Sequence, residues 1–319
     1  MQSAIQSAVR ARRSGPDSAI MRRSDADTIY GIDVVAEPIV EAFCRDWSRS
    51  MPLVLVAEGL IDDEGREGPK VFPEGATEAD AAIRLIVDPI DGTRELMYDK
   101  RSAWSLAGVA PNRGPQTGLR DIEVAVMTEL PTTKLGWADV LWAVRGQGVQ
   151  AQRVDLATGE STPFIPRPSS ATGLDHGFAT VSSFFPGTKR PAAELVERIA
   201  SELLPRDDVT CGTMFDDQYI STGGQWYELI VGHDRFNADL RPAFYRLQGI
   251  AEGMCCHPYD CCCLLIAEEA GVILTDERGR PLDAPLDTTT GIDWLGYANA
   301  DLRARIEPVV KRFLAMPEA

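Results

Sequence analysis

The sequence predicts an α/β fold, a layered sandwich of helices on sheets, and three observations carry that prediction. Branched apolar runs of strand length stop at acids: Leu53-Val54-Leu55-Val56-Ala57 ends at Glu58, and Ile83-Arg84-Leu85-Ile86-Val87 ends at Asp88. Around them lie segments of helical period, among them Val35, Ile39, Phe43 and Trp47 at every fourth place. Strand-like and helix-like segments then alternate from residue 178 to residue 314. With 319 residues, 44% hydrophobic and 25% charged, the chain has an ordinary globular composition and the length for a sizeable core in one two-lobed unit.

In chain order, residues 1–23 set Arg10, Arg12, Arg13, Arg22 and Arg23 against the single acid Asp17. That composition also suits an organellar transit segment, but Gly15-Pro16 interrupts any long amphipathic helix, so a pair of N-terminal helices is expected. Thr28 to Trp47 reads as a helix burying Val35, Ile39, Phe43 and Trp47, with Pro38 bending it or marking its first turn. A strand at 53–58 precedes an acidic, glycine-rich loop at 59–82, a length that is often functional. Further strands are expected at 103–110, 121–130, 139–145 and 149–154, the last two joined by a hairpin at Gly146-Gln147-Gly148. A Pro/Ser-rich connection at 161–173 divides an N-terminal α+β lobe, residues 1–160, from a C-terminal α/β lobe, residues 161–319. The second lobe reads as strand 178–184, helix 191–204, helix 223–229 feeding Phe236 to Asp239, and a buried helix from Cys261 to Ala270 closed by Gly271. Strand 272–276, turn 277–280, strand 293–298 and helix 300–314 complete it.

The chemistry concentrates at Asp88-Pro89-Ile90-Asp91-Gly92-Thr93. Proline holds a turn and brings no donor, so Asp88 and Asp91 are expected in an extended-to-turn segment, off any regular strand, with both carboxylates facing one point. Gly92 permits close backbone approach, and the amides after it would point at an anion if they open a helix. Two carboxylates repel a phosphate unless hard cations lie between them, and Mg²⁺ takes carboxylate, water and phosphate oxygens together. The alternative is a capped turn, since Asp-Gly-Thr is common turn chemistry. Glu58 ends the upstream strand, and Asp260 opens the run to Ala270, where a carboxylate either caps a helix or ligates a metal.

This motif, taken with Tyr259-Asp260 and the later Glu268-Glu269-Ala270-Gly271-Val272-Ile273-Leu274-Thr275-Asp276, resembles the inositol monophosphatase family. That family lies within a larger group that includes fructose bisphosphatases and bisphosphate nucleotidases, and the resemblance covers roughly residues 28 to 312. It implies an αβαβα sandwich and a homodimer. It also implies a Mg²⁺-dependent phosphatase that hydrolyses a small phosphate monoester (an inositol phosphate, a sugar phosphate or a nucleotide 3′-phosphate) by metal-activated water. The resemblance implies that Glu58, Asp88 and the Ile90 carbonyl hold one metal, while Asp88, Asp91 and Asp260 hold a second. By the same resemblance Thr93, aligned by Asp33, orients the attacking water, and Asp91, Gly92, Thr93 and Asp239 meet the substrate; Arg94, next along the chain, is a further substrate-binding candidate on its charge alone. The chain departs from the family at Gly59, where a second glutamate is usual, and at Arg94-Glu95-Leu96, where Thr-Asn-Phe is usual. Asn237 replaces a usual aspartate, and the inositol-contacting glutamate has no obvious counterpart. These departures lower the expectation for inositol monophosphate and leave the substrate open. Arg94, Lys100 and Arg101 are candidates for a second phosphate, against a reading as surface cations.

A net charge of −16 argues against nucleic-acid polymers and anionic membranes, which need a basic footprint. Seven cysteines, an odd count with three in a row at 261–263, point to reduced thiols in a cytoplasm and to small core residues. A zinc site at Cys255, Cys256 and His257 is the sharper alternative, without the usual paired spacing. Two rival functions remain: a haloacid-dehalogenase-type phosphatase with an aspartyl-phosphate, disfavoured by the two residues between Asp88 and Asp91, and a non-catalytic binder of metal and sugar phosphate.

Overall fold

The computed structural model describes residues 20–23, 28–30, 33–60, 68–204 and 212–315. The expected N-terminal helix pair falls largely on residues outside that set; residues 20–23 themselves are a strand, β1 (Ile20–Arg23), paired antiparallel with β2 (Thr28–Tyr30). Helix α1 (Asp33–Trp47) leads to β3 (Leu53–Ala57), β4 (Lys70–Phe72), β5 (Ile83–Asp91) and the short α2 (Thr93–Met97). A meander follows through β6 (Ala103–Pro111), β7 (Val124–Leu130), β8 (Trp137–Val144), β9 (Val149–Asp155) and β10 (Ser161–Phe164). The second half contains β11 (Gly177–Val181), α3 (Lys189–Leu203), β12 (Met214–Phe215), α4 (Thr222–Ile230), β13 (Asp234–Asp239) and α5 (Arg241–Leu247). It closes with α6 (Leu264–Ala270), β14 (Ile273–Thr275), β15 (Trp294–Tyr297) and α7 (Ala300–Leu314).

These strands build two sheets. The larger runs β10-β9-β8-β7-β6-β5-β3-β4 and is antiparallel except at β3 and β5; the smaller runs β12-β11-β13-β15-β14. Helix α1 covers one face of the large sheet, burying Val40 and Cys44 against Leu53, Leu55, Leu85 and Val87. On the other face α4 packs against β5 and β6, and α6 against β7, β8 and β9. The same two helices reach the small sheet, whose far side carries α3 and α7. The layers are therefore helix, sheet, helix, sheet, helix, as the resemblance implies. One core runs through them, joining Val54, Ile86, Leu106 and Met127 of the large sheet to Val181, Phe236 and Leu295 of the small one.

Three local expectations are corrected. Helix α1 buries Ala36, Val40 and Cys44, one position on from the face read from the sequence, and Phe43 is 60% exposed. The branched side chains of β3 and β5 already fill the centre of that interface, so it takes small residues there; Trp47 packs half-buried against its edge, and Phe43 lies edge to face on Trp47, exposed. The expected connection at 161–173 begins with a strand, because β10 pairs with β9 and extends the large sheet. Helix α6 starts at Leu264 rather than Cys261; it ends, as expected, at Gly271, whose φ of 95° suits a residue without a side chain. Among the described residues no helix is long and apolar enough to cross a membrane.

Candidate active site

Asp88 and Asp91 are three apart on β5, a spacing that points side chains to opposite faces of a regular strand. The strand is not regular there. Asp88 pairs with Leu106 and Asp91 with Trp104, so three steps on β5 match two on β6, a bulge of one residue. Pro89, with no N–H to give the ladder, lies in the extra step. The segment expected to leave the strand at Asp88 thus stays in it to Asp91, and the bulge does what a turn was expected to do. Carboxylate oxygens of Asp88, Asp91 and Asp260 lie within 4.8 Å of one another.

Each acid is held by backbone. Asp88 accepts the Ile90 N–H at 2.9 Å, and the Thr93 hydroxyl donates to the Ile90 carbonyl at 2.8 Å. Asp91 accepts the Ser221 hydroxyl at 2.9 Å and the N–H groups of Thr222 at 3.2 Å and Gly223 at 2.5 Å, at the N-terminus of α4. Burial outweighs these bonds and pushes its carboxyl up to about 7. Asp260 precedes α6, whose N-cap position is Cys263, so it is not a helix cap; its carboxylate accepts the His257 N–H at 2.6 Å across a tight turn. Cys256, Cys261, Cys262 and Cys263 fill the core around that turn, each with 1% exposure or less.

Glu58, Ile90, Gly92, Thr93 and Arg94 line the same open cleft as the three aspartates. Glu58 stands outside the three-acid group, on the wall at the end of β3. Asp33 opens α1, but its side chain lies outside the described residues. Asp239 does not line the cleft: it is 1% exposed and its carboxylate grips Arg241, at 2.8 Å from Nε and 2.5 Å from Nη2. The lining residue is Arg241, with Phe184, Phe185, Ser221, Thr222 and Met254 beside it, none of which the sequence reading selected. A signal existed in Asp239-Leu240-Arg241-Pro242, a carboxylate two residues before an arginine at a helix start. Arg101 is engaged elsewhere, paired with Asp217 at 2.9 Å and Glu228 at 3.3 Å, so it is not at hand for a second phosphate; Lys100 also lies off the cleft.

The donor set fits a hard divalent cation. Three carboxylates crowd together, and Asp91 retains a proton up to about pH 7 where no cation offsets its burial.

No protein-family model matches the chain. A protein of Methanothermobacter thermautotrophicus named fructose-1,6-bisphosphatase/inositol-1-monophosphatase is 23% identical over 279 residues, covering 86% of this chain and 80% of its own. Among solved structures, the fructose-1,6-bisphosphatase of Leishmania major superposes with a TM-score of 0.70 at 14% identity, covering 98% of this chain and 90% of its own. An IMPase of Thermotoga maritima does so at 0.61 and 15% identity, covering 98% and 94%. The extragenic suppressor protein SuhB of Bartonella henselae gives 0.63 at 17% identity, covering 98% and 95%.

Proposed function

We propose that this chain, which has the fold of inositol monophosphatases and fructose-1,6-bisphosphatases, is a Mg²⁺-dependent phosphatase that hydrolyses a small phosphate monoester without a covalent intermediate. The observation that carries the proposal is the convergence of Asp88, Asp91 and Asp260 within 4.8 Å in a cleft also lined by Glu58 and Thr93. The name of the M. thermautotrophicus relative supports a sugar or inositol phosphate as the substrate class.

Bound magnesium would supply positive charge against the phosphate and a more acidic water. Asp88, Asp91 and Asp260 are its proposed ligands, with Glu58 and the Ile90 carbonyl on the adjoining wall. The α4 N-terminus fixes Asp91 in one orientation, so the acid does not have to be ordered when the substrate arrives. Thr93 commits its proton to Ile90 and therefore meets a water as an acceptor, the sense needed to aim the water's oxygen at phosphorus. In the proposed metal-bound state, where the Ile90 carbonyl would face the cation, Asp33 would take the Thr93 proton in its place and align the hydroxyl, which still meets the water as an acceptor. The reading includes a cytoplasmic homodimer, and the six described cysteines, all free thiols, agree with a reducing compartment.

The test is phosphate release with Mg²⁺ across inositol phosphates, fructose-1,6-bisphosphate and 3′-phosphoadenosine-5′-phosphate, for the wild type and Asp91→Asn. The variant is expected to lose more than the roughly 10–100-fold that removal of an outer-shell partner costs, with an unchanged circular dichroism spectrum. Near-normal turnover in Asp91→Asn, or an acid-labile phosphoenzyme in the wild type, would reject this mechanism.

A further inference from the structure

Two guanidinium groups converge on one wall of the cleft. Arg241 opens α5 directly after β13, is only 5% exposed, and lines the cleft together with Arg94 from α2. Both sit over the ring of Phe185, at 5.6 Å and 5.4 Å from its centroid, and Arg241 also lies 5.4 Å from that of Phe184. Both also meet Met254: its carbonyl accepts Arg241 Nη1 at 3.1 Å, and its sulfur accepts Arg94 Nη2 at 3.4 Å.

Arg241 is held but not saturated. A guanidinium has five N–H groups. Asp239 takes the one on Nε and one on Nη2, and Met254 takes one on Nη1, which leaves one donor on each terminal nitrogen. Asp239 is thus a positioning residue that fixes the fork. The arrangement is costly as mere filling: a buried ion pair is often matched or bettered in stability by apolar side chains, and a second cation on the same ring adds repulsion. The acid cluster is close enough that the charge of Asp260 acts on Arg241. One cleft thus holds both a carboxylate cluster suited to a cation and a preorganised guanidinium fork suited to an anion.

We propose that Arg241 and Arg94 form a second anion subsite, so that the substrate carries, besides the scissile phosphate, another anionic group in place of a neutral polyol. The chemistry shared by the possible groups is a planar or tetrahedral oxyanion that accepts two N–H bonds from a guanidinium, which a carboxylate and a second phosphate both provide. The inference rests on the phosphatase reading, with the scissile phosphate at the acid cluster and the other anion at the arginines.

The test compares matched substrates in the presence of Mg²⁺: glycerol 2-phosphate against 2-phosphoglycerate, and glucose 1-phosphate against glucose 1,6-bisphosphate. In the wild type kcat/KM is expected to favour the doubly anionic member of at least one pair by about tenfold or more, the equivalent of one good charge-assisted bond. The pair with the larger ratio names the anion. Arg241→Met should bring that ratio close to one, Arg94→Met should lower it, and Arg241→Lys should keep part of it, as a charge without the fork. Because Arg241→Met leaves Asp239 buried without its partner, the double variant with Asp239→Asn is measured beside it and should give the same ratio. Wild-type ratios near one in both pairs, or a ratio that survives Arg241→Met, overturn the subsite. Equal losses on both members of a pair put the arginines on the scissile phosphate and also overturn it. No phosphate release from any of the four compounds or from the inositol, fructose and nucleotide phosphates would reject the phosphatase reading, and the subsite with it.

Discussion

Asp91 joins sequence to chemistry at the smallest scale. Its oxygens are fixed by Ser221, Thr222 and Gly223, yet burial still raises its carboxyl to about 7. The sign follows from linkage: the folded carboxyl titrates above its ordinary value of 3.8, so this group weakens the metal-free fold progressively as pH rises from there to about 7. A cation bound at Asp91 reverses the preference, and below that pH it has to expel the proton. The apparent Mg²⁺ affinity is therefore expected to rise about tenfold per unit from roughly pH 5.5 to 6.5 and to level off above about 7.5. Calorimetric titrations in two buffers of different ionisation enthalpy would count the released proton; an affinity flat across that range would take Asp91 out of the shell. At this scale the acids were legible because a carboxylate, a proline and a glycine in close order constrain what a chain can do. Arg241 was not, since its role depends on Asp239 facing away from the cleft and on Phe184, Phe185 and Met254 arriving from distant segments.

Among the elements, the contact of α4 with β5 and β6 governs the site. Gly223 lies in the first turn of α4, and a Cβ there would stand 2.7 Å from Leu106 Cδ2 and 3.0 Å from Asp91 Oδ2. Leu106 is fully enclosed, so it has little room to yield. Gly223→Ala should push α4 off β5 and lengthen the N–H bond to Asp91, costing about 1–3 kcal/mol of stability by overpacking. Activity should fall at least tenfold although the residue lines no part of the cleft. Urea denaturation and phosphate release measured together check this, and unchanged values of both would show that the interface has slack. Strand and helix identities were largely readable from apolar periodicity, because burial on a face imposes it. The bulge at Pro89 and the buried face of α1 were not, since register and face are decided by the partner: β6 supplies two residues where β5 spends three, and β3 and β5 leave space only for small side chains.

For the molecule as a whole, the site draws on both halves of the chain. Asp88 and Asp91 belong to the large sheet, while Ser221, Arg241 and Asp260 come from the segments that lie between and beside the two sheets. The sequence suggested lobes at 1–160 and 161–319, and we propose that these behave as one cooperative unit, because a single core passes from Val54 and Leu106 through Trp226 and Leu265 to Phe236 and Leu295. The layer order followed from the resemblance, whereas composition and periodicity alone pointed only to an α/β sandwich. A cation shared by Asp91 and Asp260 would tie the halves further, binding the folded chain and not the unfolded one. At a free Mg²⁺ concentration a hundred times its dissociation constant that linkage is worth about 2.7 kcal/mol. Scanning calorimetry is then expected to give one transition whose midpoint climbs by several degrees with Mg²⁺ in the wild type and stays still in Asp91→Asn. Were the trace to split in two, with one part indifferent to Mg²⁺, the halves would be separate folding units and the shared cation could not be what joins them.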